Sequence, residues 1–211
     1  DPKNPANNRA IKETVSIRDT RLEDEIFYFS IKSTALFQSG THGEIQSGQD
    51  RMVWDFKFEE PVLSLRHLPS LLYHLPYPRT KLLAPQLSFR MTGSFEINGR
   101  ILQLNSVPAH QGHLWGTEHA GSWVWGNCNS FREEPGALFE GLTIPNPLQR
   151  WSQRPATLLF FRYRGRNYSF LSPYDWFHNR THHETSRWHF EAADGEIRFV
   201  GNLLTEPRQM V

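Results

Sequence analysis

The sequence predicts an all-β chain, a barrel or a sandwich of short antiparallel strands. Three observations carry that prediction. Apolar and polar residues alternate in short runs at near-regular spacing, as in Met52, Trp54, Phe56 and Phe58 against Val53, Asp55 and Lys57. Tight-turn signals separate the runs, Asn98-Gly99 and Ala193-Asp194-Gly195 among them. No apolar stripe of helical period runs long enough to sustain a helix of ordinary length.

In chain order, residues 1–10 read as an extended entry with two prolines. Strands are expected over Glu13 to Arg18 and, as one long run, over Glu25 to Phe37. Residues 38–50 are polar and glycine-rich and read as a loop or hairpin tip. Arg51 to Phe58 is a half-buried strand. Residues 61–85 carry five prolines, which interrupt any helix, so the segment reads as a crossover and candidate lid with one helical turn near Ser70 to His74. Gln86 to Val107 is a hairpin about Asn98-Gly99. Ala137 to Ile144 is a strand, 145–156 a loop, and Thr157 to Leu171 a second hairpin about Arg164 to Asn167. Tyr174 to His178 reads as a short strand or turn with an aromatic anchor. Ser186 to Phe190 is expected to pair with Glu196 to Val200, and 203–211 to be a loose tail.

Composition narrows the function. A formal charge of +1 gives no field to attract nucleic acid or an anionic membrane surface, so Arg162, Arg164 and Arg166 among their aromatics read as a solvated strand face. Aromatics reach 13% while hydrophobics as a whole stay at 38%, a trade of aliphatics for rings that suits sheet faces and ligand walls. No apolar run is long enough for an integral membrane helix. The single cysteine, Cys128, allows no internal disulfide and no cysteine zinc site, and favours a reducing, cytoplasmic setting. No nucleophile elbow, phosphate loop or dinucleotide fingerprint is present.

Chemistry-bearing residues concentrate between His110 and Phe131. These 22 residues hold three histidines, three tryptophans, the cysteine and four glycines. The glycines at 112, 116 and 121 oppose a helix in the first half. The second half reads as a strand with Trp123, Trp125 and Asn127 on one face. A ring-lined wall beside titratable groups suggests a pocket for an apolar ligand with a few polar handles.

Gly112-His113-Leu114-Trp115-Gly116, followed by Trp123-Val124-Trp125-Gly126-Asn127-Cys128-Asn129-Ser130-Phe131, resembles the lipocalin-like superfamily of tocopherol cyclases, carotenoid hydratases and AttH-type proteins. The Trp-x-Trp-x-x-Cys-Asn-x-Phe run is nearer the cyclase branch and the His-x-Trp pair nearer the hydratase branch. The resemblance implies a lipocalin-like antiparallel β-barrel or two packed half-barrels. Here that means one domain over 1–211, or two sub-barrels of about 1–110 and 111–211. It also implies cofactor-free, acid-initiated attack on an isoprenoid or related alkene.

Such chemistry needs an acid and a dry, ring-lined wall. His113 is a candidate acid, with Trp115, Trp123, Trp125, Asn127 and Tyr174 as ligand-binding candidates. The alternative is a turn-capping His113 and a Trp115 that only fills the core. Glu118 and His119 are a carboxylate and an imidazole in an expected loop, able to couple if they converge. Glu140 sits in the apolar run ALFEGLTI, in the strand expected beside Trp123 to Cys128. If it faces inward, burial alone should raise its pKa toward that of a proton donor; if outward, it is an edge charge. Asp175 is an alternative acid. His110, His113 and His119 could instead hold a metal, with an open fourth position. His182-His183-Glu184 reads as a solvated loop. Three functions stay open: a cofactor-free hydratase or cyclase, a carrier with the same pocket, and a structural domain.

Overall fold

The computed structural model describes residues 9–23, 27–145 and 154–205. The all-β, lipocalin-like expectation holds: the described residues are mostly strand, paired in antiparallel sheets. The chain divides into two compact units, Asp1–Pro61 with Phe89–Ala109, and Val62–Ser88 with His110–Val211.

The first unit is an antiparallel meander of β1 (Thr20–Glu23), β2 (Tyr28–Ile31), β3 (Thr34–Phe37), β4 (Gly40–Ser47) and β5 (Asp50–Val62). Of the single strand expected over Glu25 to Phe37, residues 25–26 lie outside the described residues, and the remainder is a hairpin. It turns at Lys32 and Ser33, where Lys32 takes a φ of 51° and its ammonium pairs with Glu13. The expected strand from Glu13 to Arg18 is replaced by a 3-10 turn, Ile17–Asp19, capped by Ser16, whose hydroxyl accepts from the Arg18 N–H. The polar stretch 38–50 is largely β4. Its glycines allow close approach: a Cβ on Gly43 would stand 2.6 Å from both Thr34 Oγ1 and the Trp54 ring.

The second unit starts with β6 (Leu65–Arg66) and α1 (Ser70–His74), the helical turn expected there. β7 (Thr80–Ile97) and β8 (Arg100–Gly116) follow as a long hairpin, and both strands pass through both units. Its turn has positive φ at Asn98 and Gly99 (50° and 83°), the backbone that an Asn-Gly pair accommodates. The first half of the histidine-rich stretch is therefore strand up to Gly116, and only 117–123 is irregular. Gly116 is required by a close approach: at φ 148° a Cβ there would fall 2.1 Å from the Arg79 carbonyl oxygen.

Two sheets complete the second unit. One runs β12 (Arg166–Phe170), β11 (Ala156–Tyr163), β10 (Leu138–Ile144), β9 (Val124–Cys128). The other runs β13 (Arg180–Glu184), β14 (Arg187–Ala193), β15 (Arg198–Leu204). Their apolar faces meet in one core, with Phe139, Leu159 and Phe170 from the first sheet and Trp188, Phe190 and Ala192 from the second. Phe139 and Phe190 stack with centroids 4.8 Å apart. Neighbouring clusters gather Leu65, Ala84, Leu87, Leu138 and Phe160, and then Ala156, Leu158 and Trp176.

Two local expectations are corrected here. Tyr174 to His178 is not a strand but lies in α2 (Pro173–His178), started by a capping box of Ser172 and Asp175 with Pro173 in the first turn. His182-His183-Glu184 is not a loop but part of β13, in register with Arg187 to His189. The loop expected over 145–156 lies mostly outside the described residues, as does the tail beyond Thr205.

Candidate functional site

Glu140 lies at the centre of the candidate site. It occupies the middle of β10 and is 1% exposed, so the inward alternative is the one realised. Asn127 is its direct partner across the β9–β10 ladder, and Trp125 is the diagonal neighbour two residues away. Both reach it. Trp125 Nε1–H donates to Oε1 at 2.9 Å and Asn127 Nδ2–H to Oε2 at 2.9 Å.

Two imidazoles complete the shell. His67 Nε2 lies 3.2 Å from Oε1, brought in from the crossover segment, 73 residues away. His67 is itself 1% exposed, and its Nδ1 is buried with no hydrogen-bond partner among the described residues. His110 Nε2, from β8, lies 3.5 Å from Oε2 at ion-pair distance, and its ring sits 5.8 Å from that of Trp125.

The electrostatics differ from the expectation for a buried acid. Burial pushes the Glu140 carboxyl up, but the His67, Trp125 and Asn127 hydrogen bonds and the charge of His67 outweigh it, and the pKa falls below the ordinary carboxylate value. Glu140 is thus a fixed anion, not a neutral proton donor. Burial lowers the pKa of His110, the Glu140 charge opposes that, and His67 adds to the lowering, so the net direction is down. The cluster is a buried carboxylate fastened by an indole, an amide and an imidazole, with a second, neutral-leaning imidazole beside it.

The other candidates do not join this cluster. His113 is three residues from His110 on one strand and so faces the opposite way. It is exposed and stacks on Trp115 at 4.8 Å, and Trp115 in turn stacks on Tyr73 at 5.8 Å. Glu118 is exposed in its loop and pairs with Arg79 at 2.5 Å, while His119 is exposed beside it. Tyr174 lies on α2, exposed, with its ring stacked on His178. Asp175 is engaged in the helix cap. The metal alternative fails on the same alternation: His110 and His113 point apart. Among the described residues no three histidine, cysteine, aspartate or glutamate side chains are grouped to hold an ion.

His67 was missed by sequence reasoning. Its one signal is a histidine, next to Arg66, inside the leucine-rich run Val62 to Leu72. His110 entered only as a metal-ligand candidate, although its odd spacing from His113 already separated the two within a strand.

Beside the cluster, an open groove of about 680 Å³ is lined by Ser122, Trp123, Val124, Trp125, His183, Glu184 and Thr185. Trp123 is 64% and Trp125 48% exposed. Trp125 therefore belongs to both features: it lines the groove and its N–H holds the buried carboxylate.

The chain matches no curated protein and no solved structure significantly. Among the described residues no helix is long and apolar enough to cross a membrane. A family model described as tocopherol cyclase-like matches residues 82–207, a span that includes His110, Trp125, Asn127 and Glu140 and leaves out His67. Covering more than half of the sequence, on an antiparallel β-fold with the Trp-x-Trp strand beside its buried glutamate, that match makes the chain a member of the tocopherol cyclase-like family.

Proposed function

We propose that this chain binds a hydrophobic small molecule, isoprenoid or lipid-like, in the groove walled by Trp123 and Trp125. The observation that carries this reading is the double engagement of Trp125, half exposed in the groove yet fastened to Glu140. Covering exposed indole area with an aliphatic chain gains about 25 cal/mol per Å². A ring already held by a hydrogen bond also loses little side-chain freedom on binding. Family membership supports the same ligand class. Titration with a water-dispersible isoprenoid alcohol, read by tryptophan fluorescence, tests the reading. Saturable quenching that Trp123→Ala weakens is the expected result, and quenching that never saturates sinks it.

A second reading, cofactor-free proton transfer to an alkene, is favoured by His110 lying beside both Glu140 and Trp125. In that scheme a protonated His110, steadied by the Glu140 anion, gives its proton to an alkene carbon. The resulting carbocation sits against the Trp125 ring. Water or a ligand hydroxyl then forms the C–O bond and returns a proton to His110. The π bond is replaced by one C–H and one C–O bond, with no change of oxidation state overall. Turnover that survives both His110→Phe and Glu140→Gln would remove this second reading and leave the first intact.

A further inference from the structure

The crossover segment between β6 and β7 is apolar both inward and outward. Leu68 and Leu72, one helical turn apart, pack inward against the cluster of Ala156, Leu158 and Trp176. Their neighbour Leu71 is instead 67% exposed, and Leu75 and Tyr77, just past α1, are 41% and 45% exposed. A helix that is apolar on both faces calls for cover on both, and the outer face of α1 is open among the described residues. Cations bracket this tip. Arg66 Nη1 donates to Ser70 Oγ at 3.3 Å, and its guanidinium stands 6.0 Å from the centre of the Tyr73 ring, which places it at α1. Lys81 Nζ donates to the Pro78 carbonyl at 3.1 Å, one residue past Tyr77. Arg79 is offset by Glu118, but residues 62–88 themselves hold no aspartate or glutamate. The whole chain carries a formal charge of only +1, so no long-range field leads this contact; the apolar tip does, and the cations beside it favour an anionic surface. Three side chains, none fully exposed and each of at most about 250 Å², fall short of the roughly 800 Å² per partner that a stable protein interface needs. A lipid surface asks for neither that area nor a matching shape. Leucines enter the acyl boundary, a tyrosine rests at headgroup level, and basic side chains meet anionic headgroups.

We infer that this tip docks the chain on the surface of an anionic lipid bilayer, with Leu71, Leu75 and Tyr77 inserted and Arg66 and Lys81 at the headgroups. The docking is peripheral and needs no ligand in the groove, so it stands apart from the binding reading above.

Co-sedimentation of the whole chain with vesicles tests this, using phosphatidylcholine alone and phosphatidylcholine mixed with phosphatidylserine, at low salt. The wild type should partition onto the mixed vesicles. Leu71→Gln together with Leu75→Gln should weaken partition about tenfold. The same change at Leu22 and Leu204, which are also exposed, should leave it within about twofold. Leu71→Trp should instead strengthen it, a gain that no folding defect imitates. Arg66→Gln together with Lys81→Gln should cut the preference for mixed over neutral vesicles about fivefold or more. A wild type that sediments with neither vesicle overturns the docking, and so does a loss in the Leu22 and Leu204 control equal to that in the tip variant. Equal partition onto both vesicles, unmoved by the Arg66 and Lys81 changes, overturns the anionic preference. A wild type that ignores vesicles but elutes as a dimer, and as a monomer once Leu71 and Leu75 are changed, assigns the face to a second copy and overturns the membrane. The vesicles carry no isoprenoid, so failure here leaves the groove reading standing.

Discussion

Trp125 and Glu140 are diagonal neighbours across the β9–β10 ladder, joined by an indole N–H donated to Oε1 at 2.9 Å. The bond ties a surface ring to a buried charge, so anything that alters the carboxylate is felt at the groove. Asn127, directly opposite Glu140, secures the second oxygen. Removing the carboxylate leaves several donors without an acceptor. Glu140→Leu should therefore cost roughly 3 kcal/mol, in the range for breaking a buried charged pair. Glu140→Gln keeps one acceptor oxygen and should cost about half as much. Urea midpoints at constant m-value check the order; equal stability of wild type and Glu140→Leu would show that the network contributes nothing.

The pH dependence of stability should carry two windows, one from His110 and one from Glu140. The folded pKa of His110 lies below its ordinary value of 6.5, so the unfolded chain binds the proton first as pH falls. Stability is complete above about 6.5 and declines as pH drops through the folded value. Glu140 is also lowered, from 4.5, so its contribution is complete above that value and is lost on further acidification. His110→Phe should flatten the first window and leave the second. Unfolding free energies measured from pH 8 to pH 3 on both proteins decide this, and a His110→Phe curve parallel to the wild type throughout would contradict it.

How much of this was legible in the sequence depended on the distance over which each feature is determined. The Asn98-Gly99 hairpin, the hairpin about Arg164 and Gly165, and the adjacency of the Trp123 to Cys128 strand to ALFEGLTI are local and could be read directly. The break at Lys32 could not, because no glycine marks it and the alternation continues through it. β4 is polar enough that its pattern resembles a loop, and its partners supply the order. The cap of α2 was written in Ser172-Pro173-Tyr174-Asp175, but the aromatics around it read as strand. Two alternatives for Glu140 stood open because register fixes its face. His67 reaches Glu140 across 73 residues, and no local pattern encodes such a contact.

His67 supplies the foremost of the contacts that hold Glu140 low, so replacing it should move the acid window upward. His67→Phe fills nearly the same volume but offers no hydrogen bond and no charge. Glu140 would then titrate closer to its ordinary value, against burial that is unchanged. The expected signature is an acid loss that begins at higher pH than in the wild type, with the His110 window displaced as well because His67 also lowers that group. If the variant is destabilised uniformly at all pH values, His67 fills space and does not tune the carboxylate.

The ring-packed core leaves its own testable mark next to the site. Gly126 and Gly141 are directly paired across β9 and β10, one rung from the Asn127–Glu140 pair. A Cβ on Gly141 would lie 2.6 Å from the Phe139 ring and 2.7 Å from that of Trp188; one on Gly126 would lie 2.7 Å from Leu203 and 3.3 Å from Trp188. The two glycines thus clear the space in which Trp188 sits while its Nε1–H donates to Thr181 Oγ1 at 2.8 Å. Gly141→Ala must displace two large rings of the buried core and should cost about 2 kcal/mol by overpacking. Gly126→Ala meets the end of a flexible leucine first and should cost less. Gly121→Ala, where a Cβ meets open space, should be neutral within about 0.5 kcal/mol. Thermal or urea unfolding of the three variants gives the ranking. Because Trp188 moves only in the first two, a shift in near-UV circular dichroism should accompany those and be absent from Gly121→Ala; equal effects of all three would show that the glycines are not there to admit the tryptophan.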